Sequence, residues 1–264
     1  MRRLHPVAAA GFASAADVYE RARPSYPAEA VAWIAAEAQL RTGRVVVDVR
    51  AGTGKLTRLL VATGARVVAV EPVSEMRAKL AETAPGAETL DGVAEALPLE
   101  TAFADAITVA QAFHWFDYDA ALPELHRVLR PGGLLVLIWN SRDLDDPLQA
   151  GIEELLRPLR GSVSAQQEGA WRAPLDRSLL FEGGAQAVFR YDHSSTADDV
   201  CDRVASTSFV ATMQPLDRDE LLVRLRALTH GLVEPFAFRY RTEVYVFPRS
   251  SDRDDFERGT STEG

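Results

Sequence analysis

The sequence predicts an open, doubly wound α/β sheet with mostly parallel strands, and two observations carry that expectation. The stretch VVVDVRAGTGKLTRLL, residues 45 to 60, runs from a β-branched strand through a loop of small residues into a helical pattern. The strand-then-helix alternation continues to about residue 140, and such repeats build a parallel sheet through right-handed crossovers. Val45, Val46 and Val47 suit a strand covered on both faces. Ala51, Gly52, Thr53 and Gly54 form the loop, and Leu56, Leu59 and Leu60 recur at the spacing of one helix face. A turn of this kind brings backbone N–H groups close to a ligand at a helix N-terminus.

The other elements follow in order. FASAADVYERARPSYP, residues 12 to 27, mixes aromatics with arginines and ends in prolines that halt a helix. Its Tyr19, Arg23 and Tyr26 are too polar for simple core, which leaves a surface flap or a lid over an anionic group. PAEAVAWIAAEAQL, residues 27 to 40, is a helix with proline in its first turn and Val31, Ile34 and Ala35 facing inward. RVVAVEP is a second strand ending at Glu71, and SEMRAKLAETA a helix with Ser74 as its cap. Asp48 and Glu71 thus both stand at strand carboxyl ends, where open parallel sheets bind ligands. A short third strand falls near AETLDGV, and Ala106 to Ala110 form a fourth that runs into an aromatic loop. DYDAALPELHRVLRPGG is a helix stopped by Pro131-Gly132-Gly133, and LLVLIWN is an apolar, central fifth strand.

After Asn140 the texture changes. DPLQAGIEELLRPLR is an amphipathic helix, SVSAQQEGAWRAP has no firm period, and AQAVFRYDH is a strand. TADDVCDRVASTSFVATM and DRDELLVRLRALTHGL read as two helices, and FRYRTEVYVFPR alternates like an edge strand. The charged, small residues from 249 onward read as a disordered tail.

Composition narrows the function. The net charge of -9 repels a phosphate backbone, and the arginines lie scattered among carboxylates, so nucleic acid is not an expected partner. One cysteine, Cys201, excludes an internal disulfide and any multi-cysteine metal site, and the five histidines never fall at ligand spacing, so no metal is expected. No apolar run reaches the roughly 20 residues of a membrane span. MRRLHPVAAAGFASAA is weak as a secretory leader because its apolar run is mostly alanine and glycine. The expected location is the cytoplasm.

The glycine loop fails as a P-loop, since Val49 stands at the first glycine position and Leu56 follows Lys55. As a dinucleotide fingerprint it reads G-T-G-K-L-T, with Thr57 at the third glycine. That weakens a nicotinamide or flavin enzyme without removing it, because Glu71 stands where a ribose-binding acid would. D-V-R-A-G-T-G, V-E-P, G-V-A-E-A-L-P, Q-A-F-H-W-F-D and L-R-P-G-G-L-L-V-L occur in that order. Over residues 12 to 140 the chain resembles the class I S-adenosylmethionine-dependent methyltransferases, and more narrowly their trans-aconitate methyltransferase-like branch.

The resemblance implies a Rossmann-like, seven-stranded, mostly parallel sheet with an antiparallel final strand and a helical cap. It divides the chain into a lid segment (1–27), a cofactor-binding core (28–140), a substrate cap containing a sheet strand (141–235), the final strand (236–248) and a tail (249–264). It implies S-adenosylmethionine as cofactor and a small-molecule acceptor, a carboxylate or a hydroxyl. Ala51, Gly52 and Gly54 would lie along the methionine end, with Asp48 anchoring the loop or the ammonium. Glu71 would accept both ribose hydroxyls, Pro72 and Met76 would flank the adenine, and Ala94 and Glu95 would meet its edge. Gln111 would turn its carbonyl toward the sulfonium, while Tyr19 and Arg23 form the lid. His114 and Trp115 are the catalytic candidates: an aromatic face stabilises a cation, and an imidazole can take a proton. Arg142, Arg172 and Arg177 are further possible contacts for an acidic acceptor. One departure stands out. The family usually has glycine where this chain has Arg50, so a catalytically degenerate binding protein stays open as a second reading, and a nucleotide-dependent oxidoreductase as a third.

Overall fold

A computed structural model describes residue 20 and residues 23–159 and 169–251. Five parallel strands come first: β1 (Val45–Val49), β2 (Arg66–Val70), β3 (Glu88–Leu90), β4 (Ala104–Ala110) and β5 (Leu129–Arg142). Then follow β6 (Gln186–Ser195) and β7 (Phe236–Pro248), and the sheet order is β3-β2-β1-β4-β5-β7-β6. The order reverses beside β1, between β2 and β4, as in a doubly wound sheet. β7 is antiparallel to both of its neighbours, β5 and β6. It is therefore interior, and the expectation of an edge strand there is corrected: β6 holds the edge. The alternation that suggested an edge reports one-sided burial, with Phe238, Tyr240, Thr242, Val244 and Val246 turned inward. Antiparallel strands show that pattern anywhere in a sheet.

Helix α1 (Ala28–Glu37) precedes β1, and α2 (Thr57–Val61), α3 (Ser74–Thr83) and α4 (Tyr118–Val128) join parallel strands. Val47, Val49, Ile107 and Leu137 pack on one face of the sheet with Leu122 and Leu125 of α4. Val46, Ala106 and Val136 pack on the other with Ile34 of α1 and Leu60 of α2. Two boundaries differ from expectation. Helix α4 ends before the proline–glycine stop, because Leu129 already pairs with Ala104 across the sheet. Pro131-Gly132-Gly133 instead forms the irregular start of β5, where a side chain on Gly133 would stand 2.9 Å from the Arg130 carbonyl. Ser74 does not cap α3, since its hydroxyl bonds Glu75; the Val73 N–H is met by the Glu71 carboxylate, 2.9 Å away.

Beyond β5, helices α5 (Pro147–Leu156), α6 (Arg172–Ser178), α7 (Ala197–Ala205), α8 (Ser208–Ala211) and α9 (Pro215–Thr229) follow. The helix expected over 196–213 is thus two. Helix α7 starts at a capping box of Thr196 with Asp199, a device worth about 1 kcal/mol. Ile152, Leu156, Val200, Val204, Leu221 and Leu225 bury against Phe238 and Tyr240, a core separate from the two beside the parallel strands. Arg249 and Ser250, placed in the expected tail, donate backbone N–H groups to Gly133 and Leu180; residues 252–264 lie outside the described residues.

At the amino ends of β1 and β4 the sheet is tied by one carboxylate. Asp105 accepts from the Val45 N–H at 2.7 Å, from Arg44 at 2.8 Å and from Arg130 at 2.9 Å. Its pKa is lowered: burial pulls it up, but the Val45 N–H and the two guanidinium groups outweigh that.

Candidate active site

The site lies at the opposite end, where β1, β2 and β4 finish. The Val70 carbonyl at the end of β2 accepts N–H groups from Arg50 (2.8 Å) and Ala51 (3.3 Å), which bends the chain over the sheet. Arg50 has φ +60, Gly52 +60 and Gly54 +87, left-handed values that only glycine adopts without cost. The two glycines serve different ends. Gly52 has open space where a Cβ would stand, whereas a Cβ on Gly54 would meet Leu80 at 2.7 Å and Thr83 at 2.9 Å. Gly52 thus leaves room outward, and Gly54 lets the loop seat against α3.

Two buried acids frame this loop. Asp48 is wholly buried and accepts hydroxyl protons from Thr57 (2.6 Å) and Thr108 (2.9 Å). Burial pushes its pKa up to about 6 against the pull of those hydroxyls, and the charge of Glu71 adds to the rise. Asp48 stands behind the loop, tying β1 to α2 and β4. Glu71 accepts from the Gly52 N–H at 2.9 Å on one oxygen and from the Val73 N–H at 2.9 Å on the other. Burial raises its pKa; the Arg50 guanidinium and the two N–H groups oppose the rise.

Two clefts meet over this framework. The first, of about 450 Å³, is lined by Glu71, Val73, Met76, Ala112 and Trp115. The second, of about 480 Å³, has Arg23, Tyr26, Lys55, Asn140 and Arg203 among its walls. Arg50, Gly52, Ala110 and Gln111 border both. Gln111 follows β4 with φ +58, and its amide donates to the Asn140 carbonyl at 3.2 Å.

The site residues expected from sequence divide accordingly. Gly52, Glu71, Met76, Gln111 and Trp115 line the first cleft, and Ala51 and Arg23 the second. Arg23 also bonds the Ser206 hydroxyl (3.1 Å) and carbonyl (2.8 Å), linking the N-terminal segment to the end of α7. Gly54, Asp48 and Pro72 support those walls without forming them, Val73 taking the lining place beside Pro72. Ala94 is packed in the core, and Glu95 accepts the Asp117 N–H at 3.0 Å, fixing the aromatic loop; neither lines either of these two clefts. His114 sits behind Trp115 with ring centres 4.8 Å apart, and burial together with the Arg50 charge brings its pKa down to about 4. Arg142 and Arg172 face Glu153 (3.4 Å) and Asp176 (3.7 Å), and neither they nor Arg177 line either of these two clefts. Tyr19 lies outside the described residues.

Sequence reasoning missed three residues. Glu20 accepts from Thr53 and from Arg58 (2.7 Å) and pairs with Lys55 (3.4 Å), clamping the outer side of the loop. Burial lifts the Glu20 pKa, but these donors hold it below its usual value. Asn140 accepts from Thr242 (2.6 Å) and donates to the Ser25 carbonyl (3.0 Å). Arg203 had a legible signal: it shares the i, i+3, i+4 stripe of α7 with Val200 and Val204, an odd place for a guanidinium.

A doubly wound sheet with a bare loop after β1, an acid closing β2 and an aromatic loop after β4 is the arrangement that the resemblance to class I methyltransferases implies. Comparisons with known proteins agree. Residues 47–137 match the family described as methyltransferase domain. An uncharacterized methyltransferase of Mycobacterium tuberculosis is 52% identical over 217 residues, which span 82% of this chain and 84% of that protein. A methyltransferase-like protein of Schizosaccharomyces pombe is 30% identical over 208 residues, covering 78% and 81% respectively. In fold alone, a proposed type II methyltransferase from Anaeromyxobacter dehalogenans is similar, with a TM-score of 0.61 and 20% identity over 86% of this chain and 97% of its own. The chain belongs to the methyltransferase family, which sets aside the oxidoreductase reading. Among the described residues no helix is long and apolar enough to cross a membrane.

Proposed function

We propose that the protein transfers a methyl group from S-adenosylmethionine to an oxygen of a small-molecule acceptor, a carboxylate or a hydroxyl, as its resemblance to the trans-aconitate methyltransferase-like branch implies. The observation that carries this reading is the Gly52–Glu71 pair. A carboxylate offers about four lone-pair positions, and the N–H groups of Gly52 and Val73 take one on each oxygen. The rest are available to a vicinal diol, as on a ribose. Open space at Gly52 and the apolar wall of Val73 and Met76 suit an adenosyl group. When bound, S-adenosylmethionine supplies an electrophilic methyl group on a positively charged sulfur.

The chain's own residues bind and orient. Asp48 holds the loop through Thr57 and Thr108, and Glu71 grips the sugar. Gln111 presents backbone at the junction of the clefts, and Trp115 offers an aromatic face to a cation. His114, neutral at pH 7, positions Trp115. A carboxylate acceptor is already ionised and needs no base, so proximity and orientation supply most of the rate. The acidic overall charge favours a small molecule over nucleic acid.

Calorimetric titration tests the reading. S-adenosylhomocysteine should bind at micromolar or better affinity and NAD should not; absence of S-adenosylhomocysteine binding would overturn it.

A further inference from the structure

Four residues border both clefts: Arg50, Gly52, Ala110 and Gln111. Arg50 is the charged group among them. It is half-buried and holds φ +60, a left-handed conformation that costs stability in residues other than glycine. A glycine at position 50 would donate the same N–H to the Val70 carbonyl without that strain. The turn itself therefore gives no reason for an arginine. The charge of its side chain is felt within the site: it opposes the rise of the Glu71 pKa and adds to the lowering of the His114 pKa.

Connectivity decides what meets this charge. On the reading proposed above, Glu71 in the first cleft takes the ribose, and Ala51, which lines the second, takes the methionine end. The sulfur that joins the two then crosses the shared border, beside Arg50. That atom is a cation in the donor and neutral in the product. On transfer an acceptor lone pair takes the methyl carbon, the C–S bonding pair stays on sulfur, and any proton on the acceptor passes to solvent.

We infer that Arg50 is a specificity-determining residue that disfavours the positively charged donor relative to the neutral product. The inference rests on the methyltransferase reading of the same site and goes beyond it, since neither the ribose nor the methionine end calls for a cation at this position. Two unit charges about 8 Å apart at an effective dielectric of about 20 repel enough to shift an equilibrium at least tenfold. Glu71 attracts the sulfonium, while Arg23 and Lys55 repel it from the second cleft. All three stay in place when Arg50 is replaced, so the change in preference isolates the Arg50 charge.

The test is calorimetric titration with S-adenosylmethionine, S-adenosylhomocysteine and sinefungin, a stable analogue that carries an amine in place of the sulfonium methyl. Wild type is compared with Arg50→Met, which keeps bulk and removes charge, Arg50→Gly, which removes both, and Arg50→Lys, which keeps the charge. The preference for S-adenosylhomocysteine over the two cationic ligands should fall about tenfold in the Met and Gly variants. In the Lys variant it should stay within threefold of wild type. If the Met and Gly variants change the affinity of all three ligands by the same factor, the side chain acts by bulk alone and the inference is overturned. A Lys variant that behaves like Met overturns it as well. Failure of both wild type and Arg50→Gly to bind S-adenosylhomocysteine would instead remove the methyltransferase reading beneath it. Arg50→Gly relieves the positive φ, so its comparison with wild type decides the matter even where another variant does not fold.

Discussion

The two ends of the central sheet shift the pKa of the same chemical group in opposite directions. At the amino end, Asp105 gathers a backbone N–H and two guanidinium groups, which hold its carboxyl below the usual range. At the carboxyl end, Asp48 has only two neutral hydroxyls, lies near Glu71, and is pushed up to about 6. One end is arranged for cohesion. The other accepts left-handed backbone at Arg50 and Gln111 and two buried acids near each other, conditions that cost stability and leave groups ready for a ligand.

Replacements at each end should separate binding from folding. Glu71→Ala should weaken S-adenosylhomocysteine about 100-fold, close to 3 kcal/mol, because it removes the acceptor proposed for the ribose hydroxyls. Its Tm should fall as well, since the buried Val73 N–H loses its acceptor; unchanged affinity by calorimetry would break the contrast. Asp105→Ala should affect stability alone. The two ion pairs involve half-exposed arginines and are worth little, but the Val45 N–H is left without its acceptor. Denaturant titration should show a loss of about 2 kcal/mol, with ligand affinity within twofold of wild type. Arg50→Gly should stabilise by about 1 kcal/mol by relieving the positive φ. It should also tighten S-adenosylhomocysteine; equal affinities would show that the guanidinium does not obstruct the donor.

The pH dependence of stability gives the subtlest signal. The folded Asp48 carboxyl keeps its proton to about pH 6, while the unfolded side chain releases it near 3.8. Its contribution is therefore fully present at low pH and is lost as pH rises through that window. Asp48→Asn cannot titrate, so the stability difference, variant minus wild type, should climb between pH 4 and 6 and level off above. A flat difference would mean that Asp48 is not buried as described. His114 runs oppositely. Held at about 4 by burial, it favours folding as pH rises toward 6.5. Activity should accordingly show no histidine step between pH 5.5 and 8, and His114→Gln should change kcat by less than about tenfold.

What could be read from sequence was local. The strand–loop–helix around Gly52 and the acid at Glu71 are written in contiguous residues whose periodicity and size dictate the backbone. Arg50 and Gln111 show why such reading carries: each stands directly after a strand, where the turn demands a left-handed residue whatever the side chain. The place of β7 was not legible, because alternation records which face is buried and not which strands flank it. Glu20 and Arg203 were also missed. Their meaning comes from partners or walls far along the chain, Thr53 and Arg58 for one and the loop after β1 for the other. Roles assigned to Ala94 and Glu95 by resemblance meet a structure in which one is packed in the core and the other props the aromatic loop.

Because Arg50, Gly52, Ala110 and Gln111 belong to both clefts, the occupants of the two share a party wall. Any adjustment of that wall for one ligand alters the energy of the other by the same factor in each direction. Coupling is therefore built into the partition itself, and a competitor for either compartment should register at its neighbour.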